Sequence, residues 1–209
     1  MLIKCRLQKI LAICVIFVLA FLCVSCGNNN DMNESDQGGT QTASLEQIEK
    51  EMVMPEDLGK TTDLQAFATI DIYNNPVDNS IFSDYQYTII DVWGTYCNPC
   101  IKAMPEMKKV YDLYKDRGVN VVGIVIDLQN ADRTVIPENV LNARKIVEKQ
   151  DADFTHILVP NNLLYSFLKD VQAIPTQFLV DSEGNIVSDY YKGGKTLEQW
   201  CDILDKKLK

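Results

Sequence analysis

The chain has 209 residues and a formal net charge of −9, with 29 acidic against 20 basic side chains. A chain of this length forms one domain with a full core and leaves residues for an appended segment. Because nucleic acid and anionic membrane surfaces repel an acidic chain, the charge excludes nucleic-acid binding.

The N-terminus has the pattern of an export signal. Lys4, Arg6 and Lys9 precede an apolar run at residues 10–24. This run is shorter than the roughly 20 residues of a membrane span, and it fits the apolar region of a signal peptide. We therefore expect a signal peptide at residues 1–25.

A small residue before Cys26, at the end of the apolar run, resembles the cleavage site of a bacterial lipoprotein. The resemblance implies lipidation of Cys26 and a lipid anchor on the extracytoplasmic face of the bacterial cell membrane. Cys23 departs from the pattern, because an aliphatic residue usually stands three positions before the modified cysteine. The alternative is an uncleaved signal anchor, which would hold the protein on the same membrane.

Residues 26–44 are polar and include a Gly-Gly pair, which predicts a flexible tether between membrane and domain. The domain is expected at residues 45–209. Apolar residues at Leu45, Ile48 and Met52 predict a short helix that Pro55 ends. Loose alternation at residues 67–73, followed by a turn at Asn74-Asn75-Pro76, predicts a small β-hairpin.

A run of β-branched and aromatic residues at 87–93 predicts a buried strand, and Cys97 and Cys100 follow where a helix begins. Two cysteines separated by two residues at such a junction are the pattern of a redox-active dithiol. The partial positive charge of a helix N-terminus stabilises a thiolate on Cys97. Cys100, one turn further, can then attack a mixed disulfide. The alternative is a structural disulfide, which rarely closes so short a loop.

The remaining chain alternates between predicted helices and strands. Apolar spacing of three and four predicts a helix at 101–117, kinked at Pro105 and ended by Gly118. An apolar run at 119–127 predicts a second strand, and strand, helix and strand form a right-handed parallel unit. The later predicted elements are a helix at 137–149, a strand at 154–159, a helix at 161–169, strands at 177–181 and 186–191 around a turn, and a helix at 196–208 with Thr196 as its N-cap.

The chain from about Phe67 onward resembles the thioredoxin superfamily. With its signal, it looks most like the TlpA/ResA-type extracytoplasmic thiol-disulfide oxidoreductases. The matching residues are Trp93, Cys97, Pro99, Cys100, Met104-Pro105-Glu106 and Ala173-Ile174-Pro175-Thr176. The resemblance implies a thioredoxin-like α/β fold. In it, helices flank a central mixed sheet, an N-terminal β-hairpin precedes it, and residues 128–160 hold a TlpA/peroxiredoxin-type insertion.

The resemblance also implies residue roles. Ile174 and Pro175 would form a cis-proline loop that faces the cysteines, and they would bind substrate together with Trp93. Asp91 stands where thioredoxins carry a buried acid. Burial in an apolar strand would raise the pKa of Asp91 and let it exchange a proton with Cys100.

Three other residues are less informative. His156 is expected in the core or on a strand surface, Cys201 as a small buried residue, and Glu106 has no predicted role. One CxxC pair and His156 do not supply the four ligands of a structural zinc site.

The predicted function is the reduction of disulfides in exported proteins, without a bound cofactor or metal. By analogy, electrons would come from a membrane dithiol donor, and one client would be an apocytochrome c. No histidine separates the cysteines, which favours a reducing couple. The alternatives are an oxidant or isomerase, a thiol peroxidase and a solute-binding lipoprotein. A peroxidase needs a Pro-x-x-x-Thr-x-x-Cys run, whereas Thr95 stands only two residues before Cys97.

Overall fold

The structure is a computed structural model, which describes residues 38–55, 64–160, 163 and 167–209. The predicted signal peptide at 1–25, the lipidation site Cys26 and the first part of the predicted tether lie outside these residues. Within the described ranges, no helix combines the length and apolar character that crossing a membrane requires.

A mixed sheet of five strands forms the centre of the fold. Its strands are β3 (Tyr87–Trp93), β4 (Val119–Val125), β5 (Thr155–Leu158), β6 (Thr176–Asp181) and β7 (Tyr191–Lys192). The spatial order is β5-β4-β3-β6-β7. β3, β4 and β5 run parallel, whereas β6 and β7 pair antiparallel. The predicted α/β class with a central mixed sheet is therefore confirmed.

In the part of the chain that the structure describes, four α-helices accompany the sheet. They are α1 (Gly38–Glu51), α2 (Asn98–Tyr114), α3 (Pro137–Lys149) and α4 (Leu197–Lys207), with 3₁₀ turns at Asn79–Phe82, Lys115–Arg117 and Phe167–Asp170. Pro105 lies inside α2 without ending the helix. Gly118 closes the following 3₁₀ turn with φ of 82°, a left-handed conformation that glycine adopts without steric cost. Of the helix predicted at 161–169, residues 161, 162 and 164–166 lie outside the described residues, and residues 167–170 are 3₁₀.

Both faces of β3 are buried, and its side chains alternate between two apolar clusters. Ile89 and Trp93 belong to the cluster that contains Cys97 and Cys100. Ile90 packs into the second cluster, on the opposite face of the sheet. Because successive side chains point to opposite faces, Asp91 shares the face of Ile89 and Trp93. We call this the cysteine face.

The predicted N-terminal hairpin is confirmed as β1 (Ala68–Ile70) paired with β2 (Pro76–Asp78). Its continuation lies along the outer side of β5, where the backbone N–H of Ile72 donates to the carbonyl of His156 at 2.9 Å.

The first helix differs from the prediction, because α1 begins at Gly38 rather than Leu45 and so includes the last part of the predicted tether. Ile48 and Met52 are buried in the core, as their spacing predicts. Once these contacts hold a first turn, each further residue adds a hydrogen bond at small cost. Polar residues upstream therefore extend the helix.

The C-terminal hairpin also differs. The turn forms, with Gly184 at φ of 85°, but the second strand is shorter than the predicted 186–191. Ile186 makes only an isolated bridge to Val180. The Ser188 hydroxyl then accepts the Leu179 N–H at 2.8 Å, the donor that a continuous ladder would use. Regular pairing resumes only at β7.

Thr196 is confirmed as the N-cap of α4, and its reciprocal partner in a capping box is Gln199. Glu106, which has no predicted role, joins two helices. One of its carboxylate oxygens accepts the backbone N–H of Leu197 at 2.9 Å. A carboxylate on α2 thus meets the positive end of α4, where a negative charge is stabilising.

Candidate active site

Cys97 and Cys100 form a disulfide across the first turn of α2, with their Cα atoms 5.3 Å apart. Cys97 is the N-cap, and its sulfur accepts the backbone N–H of Cys100 at 3.2 Å. Cys97 is 5% exposed and Cys100 is 1% exposed. After reduction, an unpaired N–H and the helix dipole stabilise negative charge on the Cys97 sulfur. The geometry therefore suits Cys97 as the attacking thiolate and Cys100 as the buried resolving thiol.

Asp127 holds the loop before Cys97. Its carboxylate accepts the backbone N–H of Thr95 at 3.0 and 3.1 Å and the Thr95 hydroxyl at 2.6 Å. Its own carbonyl accepts the side-chain amide of Asn139 from α3 at 2.6 Å. From the sequence, Asp127 is predicted only as the last residue of a strand. The available signal was that carboxyl ends of neighbouring parallel strands meet at one edge of a sheet.

The peptide bond between Ile174 and Pro175 is cis, as the resemblance implies. This loop lies beside the loop that carries the cysteines, since a Cβ on Gly94 would stand 3.4 Å from Cδ1 of Ile174. Pro175 is buried and Ile174 is half-buried. The Pro175 carbonyl accepts the N–H of Gly193 at 2.8 Å, which ties the loop to β7.

Tyr96, which directly precedes Cys97, is 67% exposed, and Asn98 and Pro99 are exposed as well. Tyr96 has no role predicted from the sequence. A lone tyrosine in a loop carries no pattern that would predict whether its side chain is buried or exposed.

Asp91 is 3% exposed on the central strand. Burial raises its pKa from 3.8 to about 6, although a hydrogen bond from the Gln177 amide opposes that rise. The amide nitrogen of Gln177 stands 3.0 Å from a carboxylate oxygen of Asp91. The predicted burial and raised pKa of Asp91 are confirmed. Its partner Gln177 is absent from the sequence-based predictions.

Trp93 differs from its predicted role in binding substrate. Its side chain is fully buried, so it cannot contact a substrate directly. It packs instead in the apolar cluster that contains Cys97 and Cys100. Its indole Nε1 donates to Nδ1 of His156 at 3.1 Å, and the two rings meet edge-on. Gly123 makes this contact possible, because a Cβ there would overlap both rings.

His156 is a core residue, one of the two alternatives the sequence predicts. Nδ1 accepts from Trp93, and Nε2 lies 3.0 Å from the carbonyl of Ala152. One accepting and one donating nitrogen describe a neutral imidazole. Burial lowers the pKa of His156 to about 4, so the ring stays uncharged at neutral pH.

The sequence of the chain is similar to those of known proteins. Residues 61–189, more than half of the chain, match the model of the AhpC/TSA family. The chain belongs to the AhpC/TSA family.

Curated relatives of this AhpC/TSA chain include the thiol-disulfide oxidoreductase ResA of Bacillus thuringiensis subsp. konkukian, 31% identical over 117 residues. That match covers 56% of this chain and 61% of the relative. ResA of Halalkalibacterium halodurans is 32% identical over 118 residues, which cover 55% of this chain and 60% of the relative. The match thus spans about three fifths of the relatives' length.

Solved structures confirm that the AhpC/TSA chain has a thioredoxin fold. A thioredoxin family thiol:disulfide interchange protein of Chlorobium tepidum superposes with a TM-score of 0.58 at 21% identity, covering 71% of this chain and 97% of that chain. StoA of Bacillus subtilis superposes with a TM-score of 0.50 at 22% identity, covering 68% and 98%.

Proposed function

We propose that the protein is a thiol-disulfide oxidoreductase that reduces disulfides in exported proteins. The observation that carries this proposal is the Cys97–Cys100 pair across the first turn of α2. The neighbouring cis-proline loop, the buried acid Asp91 and the similarity to ResA thiol-disulfide oxidoreductases support it.

In the proposed reaction, the Cys97 thiolate attacks a substrate disulfide, and one substrate sulfur leaves as a thiolate. Cys100 then loses its proton to Asp91 and attacks the Cys97 sulfur of the mixed disulfide. The second substrate sulfur leaves and the Cys97–Cys100 disulfide forms. The pair supplies two electrons, which reduce one substrate disulfide to two thiols.

The reducing direction is favoured by the residues between the cysteines, Asn98 and Pro99. Neither is a cation, so neither adds to the stabilisation that the helix N-terminus gives to the Cys97 thiolate. A less stabilised thiolate belongs to a more reducing couple, because stabilising the reduced form makes a couple more oxidising.

The peroxidase alternative has less support, although the family name fits it. A peroxidase would direct a threonine hydroxyl toward its reactive cysteine. The hydroxyl of Thr95, two residues before Cys97, donates instead to Asp127 at 2.6 Å.

The direction of electron flow is tested by the reduction potential of the Cys97–Cys100 couple, measured on the purified full-length chain against glutathione buffers. We expect a value at or below about −230 mV, in the range of thioredoxin and the glutaredoxins. A value near about −120 mV, like that of a strong oxidant, would make the protein a disulfide donor. A pair that does not cycle would favour the solute-binding alternative.

We also propose an extracytoplasmic location, with Cys26 as the lipid attachment site, electrons from a membrane dithiol donor and an apocytochrome c among the clients. The basic residues, apolar run and small residue before Cys26 support the anchor. Stable anchoring needs more than one acyl chain, so mass spectrometry of the membrane-extracted protein should find acyl chains on Cys26 and an N-terminus at that residue. A chain that keeps residues 1–25 and carries no lipid would favour the uncleaved signal anchor.

A further inference from the structure

Gln177 lies directly opposite Asp91 in the antiparallel pairing of β6 with β3. It is 1% exposed, and its Nε2 donates to Asp91 at 3.0 Å. The other end of the same amide, Oε1, is buried without a hydrogen-bond partner within the described structure. An unpaired buried acceptor is destabilising, whereas an aliphatic side chain at this position would avoid that cost.

The surroundings of Asp91 contain few alternative partners. Its own strand places Ile89 and Trp93 on the cysteine face, and β4 pairs Asp91 with Gly123, which has no side chain. On β5, beyond Gly123, the neutral His156 is occupied by Trp93 and Ala152. From α2, the groups that reach this core are Cys97, Cys100 and apolar side chains. Within the described residues, no second side chain hydrogen bonds to Asp91.

The two ends of the amide match the two protonation states of a carboxyl group. An ionised carboxylate only accepts hydrogen bonds, so it pairs with the N–H of Gln177. A protonated carboxyl group carries an O–H, which needs an acceptor, and a side-chain amide offers one after a half-turn about its last bond. A buried carboxyl group with a fixed donor would leave its O–H unpaired after protonation, at the cost of an unmade hydrogen bond.

We propose that Gln177 is a positioning residue whose amide reverses when Asp91 takes up the proton of Cys100, so that Asp91 keeps a hydrogen-bond partner in both states. The inference rests on the proposed function. The proton moves from the Cys100 thiol to Asp91, the new O–H donates to Oε1 of Gln177, and the freed Cys100 sulfur attacks Cys97. The bond between Cys97 and the substrate breaks, and its electron pair leaves on the substrate sulfur.

The test is a stopped-flow reaction of the reduced full-length chain, with its five other cysteines replaced by serine, with 5,5′-dithiobis(2-nitrobenzoate) between pH 5 and 9. The first coloured thiolate reports attack by Cys97, and the second reports resolution by Cys100. The methionine side chain in Gln177→Met is about as long as glutamine but has neither the amide N–H donor nor the oxygen acceptor. We expect this substitution to raise the pH midpoint of the second phase by about one unit. The second phase should slow about 5-fold at pH 6, because Met removes a partner from both protonation states of Asp91 and the hydrogen bond to the anion is the stronger of the two. The first phase should keep its rate.

Thr88→Val is the matched control. Thr88 is also fully buried on this sheet with an unpaired hydroxyl, but it lies on the opposite face from Asp91. We expect its second-phase midpoint to equal that of the wild type. A Gln177→Met midpoint equal to the wild-type value would overturn the inference and leave Gln177 a packing residue.

A second measurement needs no variant. In the oxidised wild-type chain, the side-chain amide resonances of Gln177 should titrate with the same midpoint as the Asp91 carboxyl carbon. Amide resonances that stay constant while Asp91 titrates would also overturn the inference. The proposed function fails separately, if the wild-type chain releases no second thiolate.

Discussion

Cys97→Ser is expected to lower the rate of disulfide reduction by at least about 10³-fold, because it removes the nucleophile that starts the reaction. A serine hydroxyl at the same helix N-terminus remains protonated at neutral pH, so it supplies no anion to attack sulfur. The measurement is the turnover of a protein disulfide by the full-length chain with a dithiol as electron source. Retention of more than a tenth of the wild-type rate would show that another group attacks.

Cys100→Ser separates the two roles of the cysteines. The Cys97 sulfur should still attack, but no second thiol resolves the intermediate, so a mixed disulfide between Cys97 and the client should accumulate. Mass spectrometry under non-reducing conditions detects this adduct at the stoichiometry of the protein. If Cys100→Ser forms no adduct and Cys97→Ser does, the assignment of attacking and resolving cysteines is reversed.

Asp91 and His156 are expected to give the protein two opposing dependences of stability on pH. The pKa of Asp91 is raised from 3.8 to about 6 in the folded state. Between these values the native state binds more protons than the unfolded state. The contribution of Asp91 to the free energy of unfolding is therefore fully present below pH 3.8 and is lost as the pH rises through 6. A tenfold change in a proton dissociation constant corresponds to about 1.4 kcal/mol, so burial of the Asp91 charge costs about 3 kcal/mol at neutral pH.

His156 acts in the opposite direction. Its pKa is lowered from 6.5 to about 4, so the unfolded state binds more protons between these values. Its contribution is fully present above pH 6.5 and is lost as the pH falls through 4, again by about 3 kcal/mol. Because the pH ranges over which Asp91 and His156 change stability overlap, their opposite contributions largely cancel in the wild-type chain.

Single substitutions should reveal each contribution. Asp91→Asn keeps the partner of Gln177 without the charge, and it should be more stable than the wild type by about 3 kcal/mol at pH 7. His156→Asn keeps an acceptor for Trp93 without the titration, so its stability relative to the wild type should increase as the pH falls from 6.5 to 4. Urea denaturation of the oxidised chains at pH 4, 5, 6 and 7 gives these differences, in which the other titrating groups cancel. Differences that are constant across this range would contradict both assignments.

The sequence predicted the elements whose residues carry a local periodic signal. The bounds of β3 and α3 agree with the prediction, because a continuous β-branched run and a regular apolar spacing are properties of neighbouring residues. The cysteine pair was predicted from its spacing at the strand-to-helix junction, whereas the cis-proline loop was predicted through the family resemblance. The start of α1 and the second strand of the C-terminal hairpin were wrong, since helix propagation and the Ser188 hydroxyl override local propensity.

Three polar residues whose roles the sequence does not reveal act through distant partners. Asp127 bonds to Thr95 across 32 residues of chain, Gln177 to Asp91 across 86, and Glu106 to Leu197 across 91. Each is an ordinary polar residue in its local context, and only the folded topology gives it a partner. The buried position of Trp93 likewise depends on His156 and on the missing side chain of Gly123.

The two outer strands of the sheet have a consequence for a protein that would meet incompletely folded chains. An unpaired strand edge is a template on which extended polypeptides add and aggregate. Here β7 has only two residues, and β5 is covered by the bridge from Asp71 and the bond from Ile72. An extended client therefore finds no long template on the central sheet. Within the described residues, the cysteine loop offers such a client another approach, and in the proposed function an encounter there ends in thiol exchange and release rather than in lasting association.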